Sequence, residues 1–184
     1  MVYSGRQFVD GAFWTLVTAL FVHANLVHLI GNMVFLYVFG NAVENSVGGK
    51  LMITAFFVGG VGSFLLGTLY YGYDCVMIGA SAAIFTLAAV SMLIKPLKQS
   101  LLFFFMPLGL VAILLFIFNL FAVHFSLGGN VGYAAHVTGF LIGIPFGIAF
   151  SEGKWMKNLG ITILLLIAFV ALVYLIRLLF VLLL

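Results

Sequence analysis

His23-Ala24-Asn25-Leu26-Val27-His28-Leu29-Ile30-Gly31-Asn32 opens an apolar run long enough to cross a membrane. His28 and Asn32 are four residues apart, so on a helix they stack on one face. His23 lies five residues earlier, where the chain would enter that helix. Polar groups at a hydrocarbon boundary are costly unless they face protein or a water-filled cavity, which makes them candidates for function. They also serve as hydrogen-bonding glue between membrane helices. The ten residues alone leave both readings open.

The surrounding chain is 66% hydrophobic and only 6% charged, against about 25% charged in soluble domains. No soluble core uses that much apolar surface, and runs of ~20 apolar residues dominate over short alternating strands. The composition therefore indicates an all-α, polytopic membrane protein. A net charge of +3, scattered along the chain, gives no footprint for nucleic acid. Cys75 is the only cysteine, which excludes an intrachain disulfide and argues against a cysteine metal site. Asp10, Phe13 and Trp14 interrupt the plan of a cleaved signal peptide.

Residues 1–25, broken by Gly5, Arg6, Asp10 and Gly11, read as an interfacial segment, with Trp14 suited to the headgroup level. Six spans follow, at 26–43, 51–71, 79–94, 101–122, 133–150 and 159–183. The third, near 24 Å at ~1.5 Å per residue, is too short to cross a bilayer unaided and is expected to start submerged within protein or a cavity. Lys50, Lys95, Lys98, Lys154 and Lys157 fall in three loops on one side, which the positive-inside rule makes cytoplasmic. The opposite loops, 72–78 and 123–132, hold no Lys or Arg. Arg6 and Arg177 dissent weakly. The N-terminal segment and the C-terminus are thus expected outside, in a multi-pass protein of the cell membrane.

That topology brings three distant polar clusters to one depth near the outer face: His23, His28 and Asn32; Gly79-Ala80-Ser81-Ala82; and Ala135-His136-Val137-Thr138-Gly139. Scattered glue residues would not share a depth, so the clusters point to a site. Ser81 falls in the first turn of its helix, where free backbone N–H groups and the positive dipole end favour an oxyanion. A serine hydroxyl needs a base, and His136 is the candidate. Gly139, Gly143 and Gly147 form a small-residue stripe below His136, as close helix packing requires; Ala82, Ala88 and Ala89 offer small partners on the serine helix. Taken singly, Ser81 as a helix cap and the glycines as ordinary membrane packing are the duller readings. Asp10, Glu44, Asp74 and Glu152 all lie in loops or at span ends, and a carboxylate at membrane depth costs ~2.5–3.5 kcal/mol. A two-residue Ser–His arrangement follows, with His28 and Asn32 as side-chain donors to the oxyanion.

His23-x4-His28-x3-Asn32, Gly79-Ala80-Ser81 and Ala135-His136-x2-Gly139-x3-Gly143 together resemble the rhomboid intramembrane serine proteases. The run from Trp14 to His23 is similar to the loop that leads into that family's histidine motif. Phe39-Gly40-x2-Val43-Glu44-x3-Gly48 is similar to the end of the helix that follows it. The likeness runs in order from about residue 8 to residue 150. It implies a rhomboid-like bundle with Ser81 as nucleophile and His136 as general base. It also implies His28, Asn32 and the Ser81 N–H at the oxyanion, with His23 nearby. The substrate class implied is a transmembrane segment of another protein, cut near its outer end at small residues. Access is implied past the helix at 101–122, with Phe103, Phe104 and Phe105 near its inner end. No metal or other cofactor is implied; the other partner is the lipid bilayer.

The chain departs from the family pattern in four places. Ala82 stands where the family usually has glycine, and Thr15 where many members have arginine. Phe85 keeps a ring that can brace His136 but lacks the usual hydroxyl. The family's core also has a span before the Trp14 loop, for which this chain has no room; 159–183 follows the fifth span instead. Residues 1–150 thus read as the catalytic core without a first span, and 151–184 as a loop and an additional helix. Two expectations for 159–183 stay open: packing where the family's first helix sits, or an added span.

Three rival readings exist. A non-cutting relative that binds transmembrane segments would typically lack the serine or the histidine. A channel would carry polar residues through the full thickness. A metal site of His23, His28 and His136 lacks a carboxylate partner and leaves Ser81 without a role.

Overall fold

The computed structural model describes residues 1–127 and 132–183. Residues 128–131, within the expected loop 123–132, lie outside the described residues. The described residues form helices, with two isolated β-bridges, Tyr3 with Met77 and Gln99 with Pro107. The protein is a multi-pass helical membrane protein: among the described residues four helices are long and apolar enough to cross a bilayer, and two shorter apolar helices lie among them.

Residues 1–25 form short pieces, α1 (Gly5–Val9), α2 (Thr15–Thr18) and a 3₁₀ turn at Ala19–Phe21. The Ser4 side chain caps α1 by accepting from the Gln7 N–H. Tyr3 anchors the segment. Its backbone pairs with Met77, its hydroxyl lies 2.9 Å from Thr68 Oγ1, and its ring stacks on Phe64.

The first span comprises α3 (Leu26–Phe35), a π-type segment (Leu36–Gly40) and α4 (Asn41–Val47). Asn25 caps α3, its Oδ1 accepting from the His28 N–H at 2.8 Å. α4 stops at Gly48 in a positive-φ conformation, from which α5 (Gly49–Tyr71) starts at once. α6 (Ser81–Ile94) is the central helix. Eleven of its 14 residues are buried, and it meets the π segment, α4, α5 and every later helix of the bundle. A helix clothed in protein has its surface matched without lipid, which accounts for its short length.

α7 (Leu108–His124) begins later than the expected 101. Residues 101–103 make a single 3₁₀ turn, and Phe104 and Phe105 take positive φ. Pro107 disfavours helical geometry in the residue before it, so the helix starts beyond it. The three phenylalanines therefore precede α7, and Phe103 packs against Phe35 and Phe39 of the first span. α8 (Tyr133–Phe150) matches its expected limits.

α9 (Trp155–Leu183) packs chiefly on α6 and α7. Asn158 Nδ2 donates to the Leu93 carbonyl at 2.7 Å, and Thr162 is the one described α9 residue that is buried. Beyond it Leu165, Leu166 and Phe169 are half-buried, and from Val170 onward the helix is exposed on all sides. Its principal neighbours are not α3, so the structure gives no support to a stand-in packed beside the first span's outer half.

The core joins α5, α6 and α8 at Thr86. This fully buried residue donates to the Gly139 carbonyl at 2.8 Å, while Gly59 has no room for a Cβ because the Thr86 side chain fills it. Gly139, Gly143 and Gly147 all face α6, meeting Ala82, Thr86 with Ala89, and Leu93 in turn. The small-residue stripe is thus the seam between α6 and α8.

Candidate active site

Ser81 is the first residue of α6, and Ala80, which precedes it, supplies no side-chain cap. The first N–H groups of the helix are therefore left to other acceptors. His136 stands in the first turn of α8. Because the glycine seam lets the two helices touch backbone to side chain, His136 Nε2 reaches Ser81 Oγ at 2.7 Å. The ring of Phe85, one turn along α6, stacks on the imidazole with centroids 4.5 Å apart and planes 4° from parallel. Loss of a hydroxyl at this position leaves the brace intact.

Gly79 holds the loop that delivers Ser81. Its φ of +98° suits glycine, and its N–H donates to the Ala19 carbonyl at 2.9 Å. A Cβ here would lie 2.8 Å from His28 Cε1, 3.0 Å from His28 Nε2 and 3.6 Å from Asn32 Nδ2. The two side chains from α3 thus converge two residues before Ser81.

His28 Nδ1 accepts from the Ala24 N–H at 3.3 Å. A neutral imidazole that accepts at Nδ1 carries its proton on Nε2, so His28 presents an N–H donor at Gly79. Asn32 is buried, and its Nδ2 is without a hydrogen-bond partner among the described residues. Donors held unpaired beside a nucleophile suit charge that appears only during reaction. His23 stands one shell back. Its ring meets His28 edge to face at 5.1 Å, and its Nε2 is also buried and unpaired.

The site contains one residue that the sequence reading did not single out. Asn119 of α7, 3% exposed, places Oδ1 at 2.8 Å from His136 Nδ1. It is the one strongly polar residue of α7 before His124 at the helix end. An amide inside an apolar span is itself a functional signal. Among the described residues, no three His, Cys, Asp or Glu side chains are grouped as a metal ion would need. Both ring nitrogens of His136 are engaged elsewhere than toward His23 and His28. The arrangement can remove a proton from Ser81 Oγ and stabilise an oxyanion beside Gly79.

The Rhomboid domain family matches residues 10–153. The chain is 25% identical to "Rhomboid protease GlpG" of Haemophilus influenzae over 164 residues, which cover 86% of this chain and 79% of that one. It is 42% identical to "Rhomboid-like protein 11, chloroplastic" of Arabidopsis thaliana over 84 residues, 46% of this chain and 30% of the relative. Similarity to "RHOMBOID-like protein 12, mitochondrial" of the same plant is 22% over 72% of this chain and 45% of that one. The chain thus spans less than half the length of these two plant relatives. With a family match over most of its length, laid on a helical membrane bundle, the chain belongs to the rhomboid family.

Proposed function

We propose that this protein is an intramembrane serine endopeptidase that cleaves transmembrane segments of other proteins with Ser81 and His136. The observation that carries the reading is the 2.7 Å contact between Ser81 Oγ and His136 Nε2. Ser81 Oγ attacks the scissile carbonyl carbon as His136 Nε2 takes its proton. The carbonyl oxygen, now an oxyanion, receives the His28 Nε2–H, the Asn32 amide and the Ser81 N–H. Collapse breaks the C–N bond, and the imidazolium protonates the leaving amine. Water then attacks the acyl-enzyme, again giving its proton to His136, and the acid product leaves Ser81. His23 supports His28 from behind.

The lysine distribution supports a site that opens opposite the cytoplasm, in a cell membrane. Two plant relatives are named for the chloroplast and the mitochondrion, so family membership by itself does not fix which membrane holds the chain. The test is cleavage of a tagged transmembrane substrate in proteoliposomes by the parent, Ser81→Ala and His136→Ala. Cleavage by the parent alone is expected. A folded parent that cleaves none of several substrates would overturn the reading and leave a rhomboid-like binder of transmembrane segments.

A further inference from the structure

We propose that Asn119 is the positioning residue of His136, holding the imidazole in the tautomer and flip that present an Nε2 lone pair to Ser81. The proposal rests on the proteolytic reading above for its consequence in rate, but not for its geometry. Asn119 Nδ2 donates to the Leu115 carbonyl at 2.8 Å. Turning the amide over would set its oxygen against that carbonyl oxygen, so Oδ1 is the atom that faces His136 Nδ1 at 2.8 Å. An amide oxygen only accepts. Nδ1 therefore carries the ring proton, and Nε2 is left with the lone pair directed at Ser81 Oγ.

Phe85 cannot do this work. Its ring lies 4° from parallel with the imidazole, which sets the plane of His136 but not which edge points where. A half-turn of the imidazole within that plane keeps the stack and swaps each nitrogen for a carbon. The flipped ring would lose its bonds to both Ser81 and Asn119. Of the two partners only Asn119, an acceptor that cannot donate, fixes which nitrogen carries the proton.

The exposure pattern of α7 agrees. Ile117, Phe118, Leu120 and Phe121 face outward, while Asn119 alone among them is buried. A buried amide is tolerated when both its ends are bonded, as they are here. A neutral acceptor also avoids the ~2.5–3.5 kcal/mol that a carboxylate costs at membrane depth.

Asn119→Leu and Asn119→Asp separate positioning from helix packing. Both keep the side-chain size and both lose the bond to the Leu115 carbonyl; only aspartate keeps an oxygen for His136 Nδ1. Two readouts are taken in detergent micelles: the rate at which a fluorophosphonate probe labels Ser81, and the imidazole ¹⁵N shifts of His136, assigned with His136→Gln. Asn119→Leu should slow labelling by about tenfold or more, a part of what general-base catalysis contributes, and should lose the Nδ1–H signature. Asn119→Asp should retain that signature and recover most of the rate. Equal labelling by parent and Asn119→Leu, or an unchanged ¹⁵N signature in Asn119→Leu, would overturn the proposal. If the folded parent resists the probe and cleaves nothing, the proteolytic reading fails, and the ¹⁵N comparison alone still decides the role of Asn119.

Discussion

Replacing Gly139 with alanine asks whether the seam between α6 and α8 sets the distance between Ser81 and His136. A Cβ at 139 would overlap the Ala82 carbonyl oxygen, and would lie 3.0 Å from the Ala82 carbonyl carbon and 3.1 Å from Ser63 Oγ. Neither neighbour can give way cheaply. The first is helix backbone, and Ser63 Oγ is held at 2.6 Å by the Gly59 carbonyl. α8 must then retreat from α6 by on the order of 1 Å, at a cost of about 1–3 kcal/mol for an overpacked contact. His136 lies one turn away on the same helix and moves with it. The bond to Ser81, 2.7 Å in the parent, would stretch to about 3.7 Å, beyond hydrogen-bonding range.

A displacement of that size costs about 10²-fold in rate, so Gly139→Ala should remain folded in detergent, melt lower, and cleave about a hundredfold more slowly. Gly147→Ala is the control. It meets the Leu93 side chain, with Cδ1 at 2.8 Å and Cβ at 2.9 Å, so the helices must give way here too, but about three turns below His136. Its melting point should fall, with cleavage changed by no more than about threefold. Cleavage rates in proteoliposomes, paired with thermal unfolding, decide the matter. A folded Gly139→Ala that cleaves at the parent rate would refute the reasoning, as would a Gly147→Ala that loses as much activity.

The donors beside Gly79 should act on the chemical step. His28→Ala and Asn32→Ala are each expected to lower kcat by about 10²–10³ with KM little changed, measured on one transmembrane substrate. Thr86→Val keeps the shape at the three-helix junction but removes the side-chain donor to the Gly139 carbonyl, which keeps its bond within α8; a loss of about 0.5–1.5 kcal/mol in unfolding free energy is expected, read by denaturant titration in micelles. At the surface, the Arg6 guanidinium bonds Asp74 and holds its carboxyl below the ordinary carboxylate value. The pair's contribution is therefore complete above that ordinary value and is lost as pH falls through the lowered one. Both side chains are largely exposed, so Asp74→Asn should lower the melting temperature slightly near neutral pH in dilute salt. At about 1 M salt, where the Debye length is ~3 Å, no difference should remain.

Where the sequence read well, a periodic signal met a single physical cause. The limits of α5 and α8 follow from continuous apolar runs bounded by glycine at 48 and 72 and by Ser151. The fourth span failed at its start, because Leu101 to Met106 is as apolar as the helix after it. Hydropathy cannot tell a buried turn from a buried helix, and Pro107 was the mark of the boundary. The π segment at Leu36–Gly40 has no such mark; nothing in Leu-Tyr-Val-Phe-Gly separates it from regular helix. α9 was legible as a span and illegible in its docking. Its apolar residues run all round the helix, and the polar marks of the face that docks are Asn158 and Thr162, with Leu159 packed against the core beside them.

The site divides along the same line. His28 with Asn32, and His136 with Gly139 and Gly143, are encoded by helical spacing within one element, and the structure brings the first pair to Gly79 and His136 to Ser81. Asn119 belongs to no such spacing. Its partner lies on the next helix, across a loop, and its role depends on which face of α7 turns inward. The usual third group beside a histidine is a carboxylate, which membrane depth penalises. That same penalty is a reason to look for an amide. A neutral side chain can accept from an imidazole N–H as an aspartate would, and α7 offers one amide at the depth of His136. The rule that led the sequence to a two-residue arrangement thus accommodates a third residue, provided that it is uncharged.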